Sequence, residues 1–359
     1  MVSLVVRYSS SRVPVGLVSR RYYAPRSLSA GWKWFGIPTS LGVACIALVK
    51  LQRTLRGSAN GDKLEESSTW QRSLFRQLST RALSRTWGAL ARQEIPTWLR
   101  KPLLGFYVWA FGCKMEEAEQ PDLVAYSSLT ELFTRKLKTK ARLIAKECQL
   151  VSPVDGTVLH VGQVTNGTLE QVKGVTFSLT KFFGEDGEVD DQDLHHIILY
   201  LSPGDYHHFH SPADWNAQVR RHIYGELLPV APWAARTMPA LFAINERVLI
   251  SGTWEHGLFS MVAVGAFNVG SISLEHDKEL VTNTKGVYQM GRWSEKALGQ
   301  DGLTFRKGDR VGNFNLGSTV VLVFRAPKNF SFLVNPGQTV KYGQSLGQIS
   351  SNTPNYKWG

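Results

Sequence analysis

Apolar residues change their spacing near residue 150, and that change divides the chain. From Trp70 to about Lys140 they recur at helical spacing among Arg and Glu. Leu83, Trp87, Leu90 and Ala91 share one face, and Leu129, Leu132, Phe133 and Leu137 share another. The pattern predicts amphipathic helices whose apolar stripes need a surface to cover them. Beyond about Leu150 the texture becomes short β-branched runs punctuated by Gly, Asp and Pro. Gly156 to Val161, His196 to Leu201, Met261 to Ile272, Ser318 to Phe324 and Phe330 to Val334 read as strands. The predicted class is therefore α+β, a β-rich body with N-terminal amphipathic helices.

A third pattern precedes both. Trp34 to Val49 is an uncharged run with Lys33 at one end and Lys50 at the other. It falls slightly short of the roughly 20 residues that cross a bilayer. Flanking Trp and Lys sit in the headgroup layer and extend the reach. Residues 31–51 are read as one transmembrane anchor. Gly36, Pro38 and Gly42 weaken a helix there, so an interfacial or buried segment is the alternative. Residues 52–66 are polar and contain Gly and Ser, as a linker does. Ile95 to Trp109 mixes aromatics with Arg100 and Lys101, a composition that suits an anionic membrane surface and a packed helical core equally.

Charge at first suggests a different protein. The 359 residues hold 41 Lys and Arg against 29 Asp and Glu, a net +12 of the kind nucleic-acid binders carry. Its distribution removes that reading. Nine of the basic residues, among them Arg20 and Arg21, lie in the first 61 positions, and the first carboxylate is Asp62. Residues 62–359 carry only +3. An Arg- and Ser-rich, acid-free start has the composition of a mitochondrial targeting peptide, here residues 1–30, with a basic arm as the alternative. No nucleic-acid partner is expected. Three cysteines without CxxC spacing (Cys45, Cys113, Cys148) make neither a disulfide scaffold nor a cysteine zinc site. GxGxxG, Walker and HExxH motifs are absent from the sequence.

Four segments group reactive side chains with Gly or Pro. Ser152-Pro153-Val154-Asp155-Gly156 is an Asp-Gly turn entering a strand, common in itself. Ser202 to Pro212 gathers His207, His208 and His210. With His195 and His196 this string could serve a metal, and one or two imidazoles suffice for acid/base work. Val264-Gly265-Ala266-Phe267-Asn268-Val269-Gly270 is a strand whose glycines admit a close backbone or ligand. Gly312 to Phe324 is a polar, Gly-rich turn leading into a strongly apolar strand.

In this order the four segments resemble the phosphatidylserine decarboxylase family. Leu316-Gly317-Ser318-Thr319 is similar to that family's self-cleavage motif. The likeness extends to Asp205-Tyr206-His207-x-x-His210-x-Pro212, to Asn245-Glu246-Arg247-Val248 and to Phe133-Thr134-Arg135-Lys136-Leu137, spanning roughly residues 80 to 350. It departs from the family at His208, where Arg is common, and at Leu143, where Pro is usual.

The resemblance implies a proenzyme that cuts itself between Gly317 and Ser318. The products are a β chain ending at Gly317 and a 42-residue α chain, Ser318 to Gly359, which stay together. Ser318 becomes a covalent pyruvoyl group, the electron sink that an amino-acid decarboxylation needs. Ser318 as nucleophile, His210 as its base and Asp155 as the orienting carboxylate form the implied self-cleavage triad. His207 is implied in decarboxylation or protonation. No metal is expected. The implied reaction turns phosphatidylserine into phosphatidylethanolamine and carbon dioxide through a Schiff base to the pyruvoyl group.

The implied setting is the mitochondrial inner membrane, with a single-pass anchor and the catalytic region facing the intermembrane space. Residues 67–149 form the amphipathic helical region in this reading, and 150–359 the β-rich catalytic region. Oligomer formation is left open. Two other classes compete: a membrane-bound metal enzyme built on the histidine string, and a non-catalytic lipid-binding or tethering protein. The Val340 to Ile349 hairpin resembles those of lipoyl-like barrels, but Lys341 lacks the Met-Lys-Met setting of a carrier lysine.

Overall fold

The computed structural model describes residues 80–185, 190–267, 271–284, 289–315 and 317–350. The expected targeting peptide, anchor and linker, residues 1–66, lie outside these. Among the described residues no helix is long and apolar enough to cross a membrane.

The chain before residue 134 holds helices α1 (Thr80–Ala91), α2 (Thr97–Phe111) and α3 (Leu129–Phe133). α2 stops at Gly112, whose φ of 66° turns the chain so that the Cys113 N–H reaches the Val108 carbonyl at 3.0 Å. α3 starts at Ser128, which caps the Glu131 N–H, while the Glu131 carboxylate takes the Ser127 N–H at 2.6 Å. The face expected to run on to Leu137 ends at Phe133. There the Thr134 hydroxyl donates to the Thr130 carbonyl, and Leu137 pairs with Ala118 in an isolated bridge. Leu104, Tyr107, Leu132 and Phe133 form one apolar cluster of their own.

The strands begin with β1 (Leu150–Val151), β2 (Gly156–Gln163), β3 (Thr168–Val172), β4 (Val175–Ser178), β5 (Leu194–Leu201) and β6 (His208–His210). Next come β7 (Trp215–Ile223), β8 (Arg247–Trp254), β9 (Gly257–Gly265), β10 (Ile272–Leu274), β11 (Trp293–Ala297) and β12 (Leu303–Phe305). The last are β13 (Arg310–Phe314), β14 (Ser318–Arg325), β15 (Phe330–Phe332), β16 (Thr339–Val340) and β17 (Ser345–Ile349). Three short helices, α4 (Leu179–Phe183), α5 (Pro232–Thr237) and α6 (Leu241–Ile244), interrupt them. The α+β class is thus the one observed.

A nine-stranded sheet runs in the order β11-β7-β8-β9-β14-β5-β2-β16, with β12 also on β7. β14 is central, with β5 on one side and β9 on the other, both antiparallel. Its apolar run is buried on both faces, so it carries no polar alternation. Val320, Leu322 and Phe324 face a core shared with Phe209, Ile272, Val311 and Phe314 of the small sheet β10-β13-β6. Val321 and Val323 face the other core, closed by α4, α5 and α6. The expected strand Met261 to Ile272 is two strands, β9 and β10. The large sheet ends where Gly265 meets Ser318, and the chain then crosses to the small sheet.

Candidate active site

Register brings the separate segments to one end of the large sheet. Thr157, Tyr200, Thr319, Val264 and Arg247 stand in one row across β2, β5, β14, β9 and β8. One residue further on stand Gly156, Leu201, Ser318 and Gly265, and there the strands end or begin. The Asp-Gly turn, the histidine string and the Gly317-Ser318 step therefore share an edge although they are far apart in sequence. At about 4.8 Å per strand, the backbones at Gly156 and Ser318 are roughly 10 Å apart. Gly156 has to be glycine, since a Cβ there would lie 2.4 Å from the Tyr200 carbonyl oxygen.

Ser318 is fully buried and its Oγ has no hydrogen-bond partner. By the alternation of β14 it faces the small sheet, with Val320 and Leu322. Gly317 before it has a φ of 23°, outside the regions L side chains favour. A buried hydroxyl that no group holds thus directly follows a backbone turn that favours glycine.

The small sheet positions the histidines. The Phe314 N–H donates to the His207 carbonyl at 2.9 Å, and the His210 N–H to the Pro153 carbonyl at 2.9 Å. The string is thereby pinned between the strand that leads to Ser318 and the turn that carries Asp155. His207 is completely buried, its ring 3.9 Å from that of Phe133. Its Nδ1–H donates to the Asp205 carbonyl at 2.9 Å, which leaves Nε2 a lone pair with no partner. His208, at the position where the sequence departs from the family, donates from Nε2 to the Thr134 carbonyl at 2.9 Å.

His210 is held differently. Its Nδ1–H donates to the Gly308 carbonyl at 3.0 Å, and its Nε2 accepts the Tyr206 hydroxyl at 3.1 Å. The Tyr342 ring stacks on it, 3.7 Å between centroids. Asp155 is paired with Arg142 and accepts the Tyr342 N–H at 2.8 Å. Asp155 and His210 make no direct hydrogen bond to each other. Tyr342 joins them instead, through its N–H on Asp155, its ring on His210 and its hydroxyl on Gly308, 2.8 Å away. Nor does either histidine bond Ser318.

Sequence reasoning missed Arg142, Tyr342 and Gly308. Tyr342 had a signal, since the C-terminal hairpin is polar and Gly-rich. The other two lie in loops whose approach to the site depends on the fold. Asn245-Glu246-Arg247 builds the far side of the same edge. The Asn245 amide donates to Leu228 and Gly265, Glu246 accepts from Arg81 and His222, and Arg247 is spent on carbonyls at Lys181, Phe182, Ala243 and Asn245. His195 and His196, weighed as metal ligands, lie at the opposite end of β5, about 20 Å from Leu201. Among the described residues no group of three or more His, Cys, Asp or Glu is arranged to hold a metal ion.

Burial sets the protonation of the histidines at both ends of β5. Desolvation lowers His207 to about 3, and His196, His208 and His210 to about 4. Their folded pKa values lie below the unfolded value of about 6.5. The stability tied to their neutral state is therefore complete above pH 6.5 and lost as pH falls toward 4. Asp205 opposes them, since burial raises it to about 6. With four groups against one, the melting temperature should drop between pH 7 and pH 5. A flat profile in scanning calorimetry would contradict these assignments.

Comparison with known proteins follows the same residues. A profile described as phosphatidylserine decarboxylase matches residues 129–348. The mitochondrial phosphatidylserine decarboxylase proenzyme of Cricetulus griseus is 43% identical over 308 residues, covering 79% of this chain and 75% of that protein. Proenzyme 1 of Schizosaccharomyces pombe is 38% identical over 361 residues, 78% of this chain and 83% of its own. Proenzyme 1 of Saccharomyces cerevisiae is 35% identical over 382 residues, 80% and 75%.

Proposed function

The chain belongs to the phosphatidylserine decarboxylase family, and on that footing we infer that it converts phosphatidylserine to phosphatidylethanolamine and carbon dioxide. It is a proenzyme whose cofactor is a covalent pyruvoyl group made by its own cleavage. The observation that carries this reading is Ser318, buried with an unpartnered hydroxyl directly after Gly317 at its positive φ.

In the proposed self-cleavage, Ser318 Oγ adds to the Gly317 carbonyl carbon and displaces its own amide nitrogen, giving an ester. Loss of the Cα proton and of the Gly317 carboxylate then leaves dehydroalanine, and hydrolysis with release of ammonia leaves the pyruvoyl group. Its ketone supplies the electron sink for the substrate carbanion. His210 is the proposed base and Asp155 the carboxylate that orients it, acting through the Tyr342 segment that touches both. His207 is proposed to serve decarboxylation, where a neutral, desolvated imidazole can move a proton. One observation favours a second assignment, with His207 as the base of self-cleavage. Its Nε2 lone pair is unpartnered, whereas that of His210 is covered by Tyr206.

The substrate's acyl chains stay in the bilayer, so the site must come to the membrane. Trp98 and Trp109 are 77% and 67% exposed, and eleven residues, about three turns, set them on one face of α2. They suit the headgroup layer. The proposed location is the mitochondrial inner membrane, with residues 1–30 as targeting peptide, 31–51 as a single span and the catalytic region in the intermembrane space. Alkaline carbonate should leave the chain in the membrane pellet, and protease should reach it only once the outer membrane is opened. Release by carbonate would remove the span. Protection after that opening would reverse the orientation.

A further inference from the structure

Arg135 is a buried guanidinium that the protein uses only in part. It is 4% exposed, and its Nη2 donates to the carbonyls of Gly204 at 2.7 Å and Asp205 at 3.3 Å. Its Nε and Nη1 are buried with no partner at all. Buried donors on a charged group are rarely left so, because each forfeits its hydration without return. Arg135 lines a cavity of about 80 Å³, room for several waters or one oxyanion.

The charges around that cavity decide what it would take. Its lining holds Lys114, Arg135, Arg142 and Lys341 against Glu117, Asp155 and Asp205. Arg142 is committed to Glu117 and Asp155, and Lys341 to Glu117. Arg135 and the exposed Lys114 remain, facing only Asp205. Asp205 accepts the Ser202 N–H at 2.7 Å, so even with its carboxylate ionised the lining keeps four cations against three carboxylates. The balance calls for an anion. A planar fork with open positions suits a phosphate or carboxylate.

We propose that Arg135, assisted by Lys114, binds the phosphodiester of phosphatidylserine. This rests on the decarboxylase reading and assigns the headgroup within it. Arg135 Nη2 and His207 Nδ1 share the Asp205 carbonyl as acceptor, which places the guanidinium beside the imidazole. Of the substrate's two anions, the phosphodiester keeps its charge throughout the reaction, whereas the carboxylate must lose its charge as carbon dioxide leaves. A guanidinium on the carboxylate would stabilise the ground state and oppose the chemistry. On the phosphodiester it binds ground and transition states alike. The carboxylate is left the neutral side formed by His207 and Phe133.

The test uses the self-cleaved enzyme with dihexanoylphosphatidylserine and with O-hexanoylserine, which has the amine and carboxylate but no phosphate. Failure of the parent enzyme on the first substrate would sink the decarboxylase reading itself. Given activity, the parent should show a KM at least tenfold higher for the phosphate-free ester, and inorganic phosphate should compete with the lipid. Arg135→Gln should raise the lipid KM roughly 10- to 100-fold, the loss of one charge-assisted hydrogen-bond partner. Its kcat should stay within about threefold, and inhibition by phosphate should disappear. Arg135→Lys, which keeps the charge and loses the fork, should fall between.

Equal KM values for the two substrates in the parent would overturn the proposal, and that comparison needs no variant to fold. So would a loss in kcat alone. Phosphate that binds without competing would mark a separate anion site and not the headgroup's.

Discussion

Ser318→Ala is expected to accumulate as one uncut chain that releases no carbon dioxide from phosphatidylserine. Intact mass should show the parent as two pieces, the smaller spanning Ser318 to Gly359 with a blocked, pyruvoyl-bearing N-terminus. The variant should show a single piece with the Gly317–Ser318 bond in place. The loss should be complete, since no other group described at this edge offers a carbonyl sink for the carbanion. The fold should not suffer. Ser318 Oγ has no partner, so its removal breaks no hydrogen bond and relieves a buried polar atom. The uncut variant should melt at or slightly above the temperature of the parent. A cut Ser318→Ala chain would remove Ser318 from the chemistry, and a variant that melts well below the parent would show that its hydroxyl is held after all.

The second large effect separates the two histidines. His210→Ala should stay uncut, and His207→Ala should cut at the parent's rate yet decarboxylate roughly 10²- to 10⁴-fold more slowly, the usual range for losing a positioned acid or base. Time courses on denaturing gels, then assays of the cut material, read the two steps separately. Cleavage by His210→Ala with none by His207→Ala would move the base assignment to His207, as its open Nε2 suggests. Full decarboxylation by His207→Ala would remove it from the mechanism.

Much of this was legible in the amino-acid order. β2, β5 and β14 are visible as β-branched runs because each is buried on one or both faces and tolerates few polar positions. The residues that could react were visible because Gly and Pro mark the turns on which they sit. Register was not visible. That Asp155, the histidine string and Ser318 meet follows from which strands pair and where each stops, and both depend on the whole sheet. The same limit hid the split of Met261 to Ile272 into β9 and β10, since an apolar run does not announce where its partner strand ends. It also made His195 and His196 look like neighbours of His207, when β5 holds them at its far end. A Ser/His/Asp analogy supplied roles for Asp155 and His210 but not the Tyr342 that stands between them.

The place of β14 has a consequence for how the cell controls this enzyme. The strand that carries the future cofactor is central and paired along its length with β5 and β9, so it must be laid into the sheet before Ser318 and Gly317 acquire their geometry. Folding is thus the licence for activation. A misfolded chain cannot arm itself, and a folded one needs no processing enzyme. The step cannot be reversed, since ammonia has left and the peptide bond is gone. Each copy is armed once. The amount of armed enzyme should therefore follow the amount of chain that has folded.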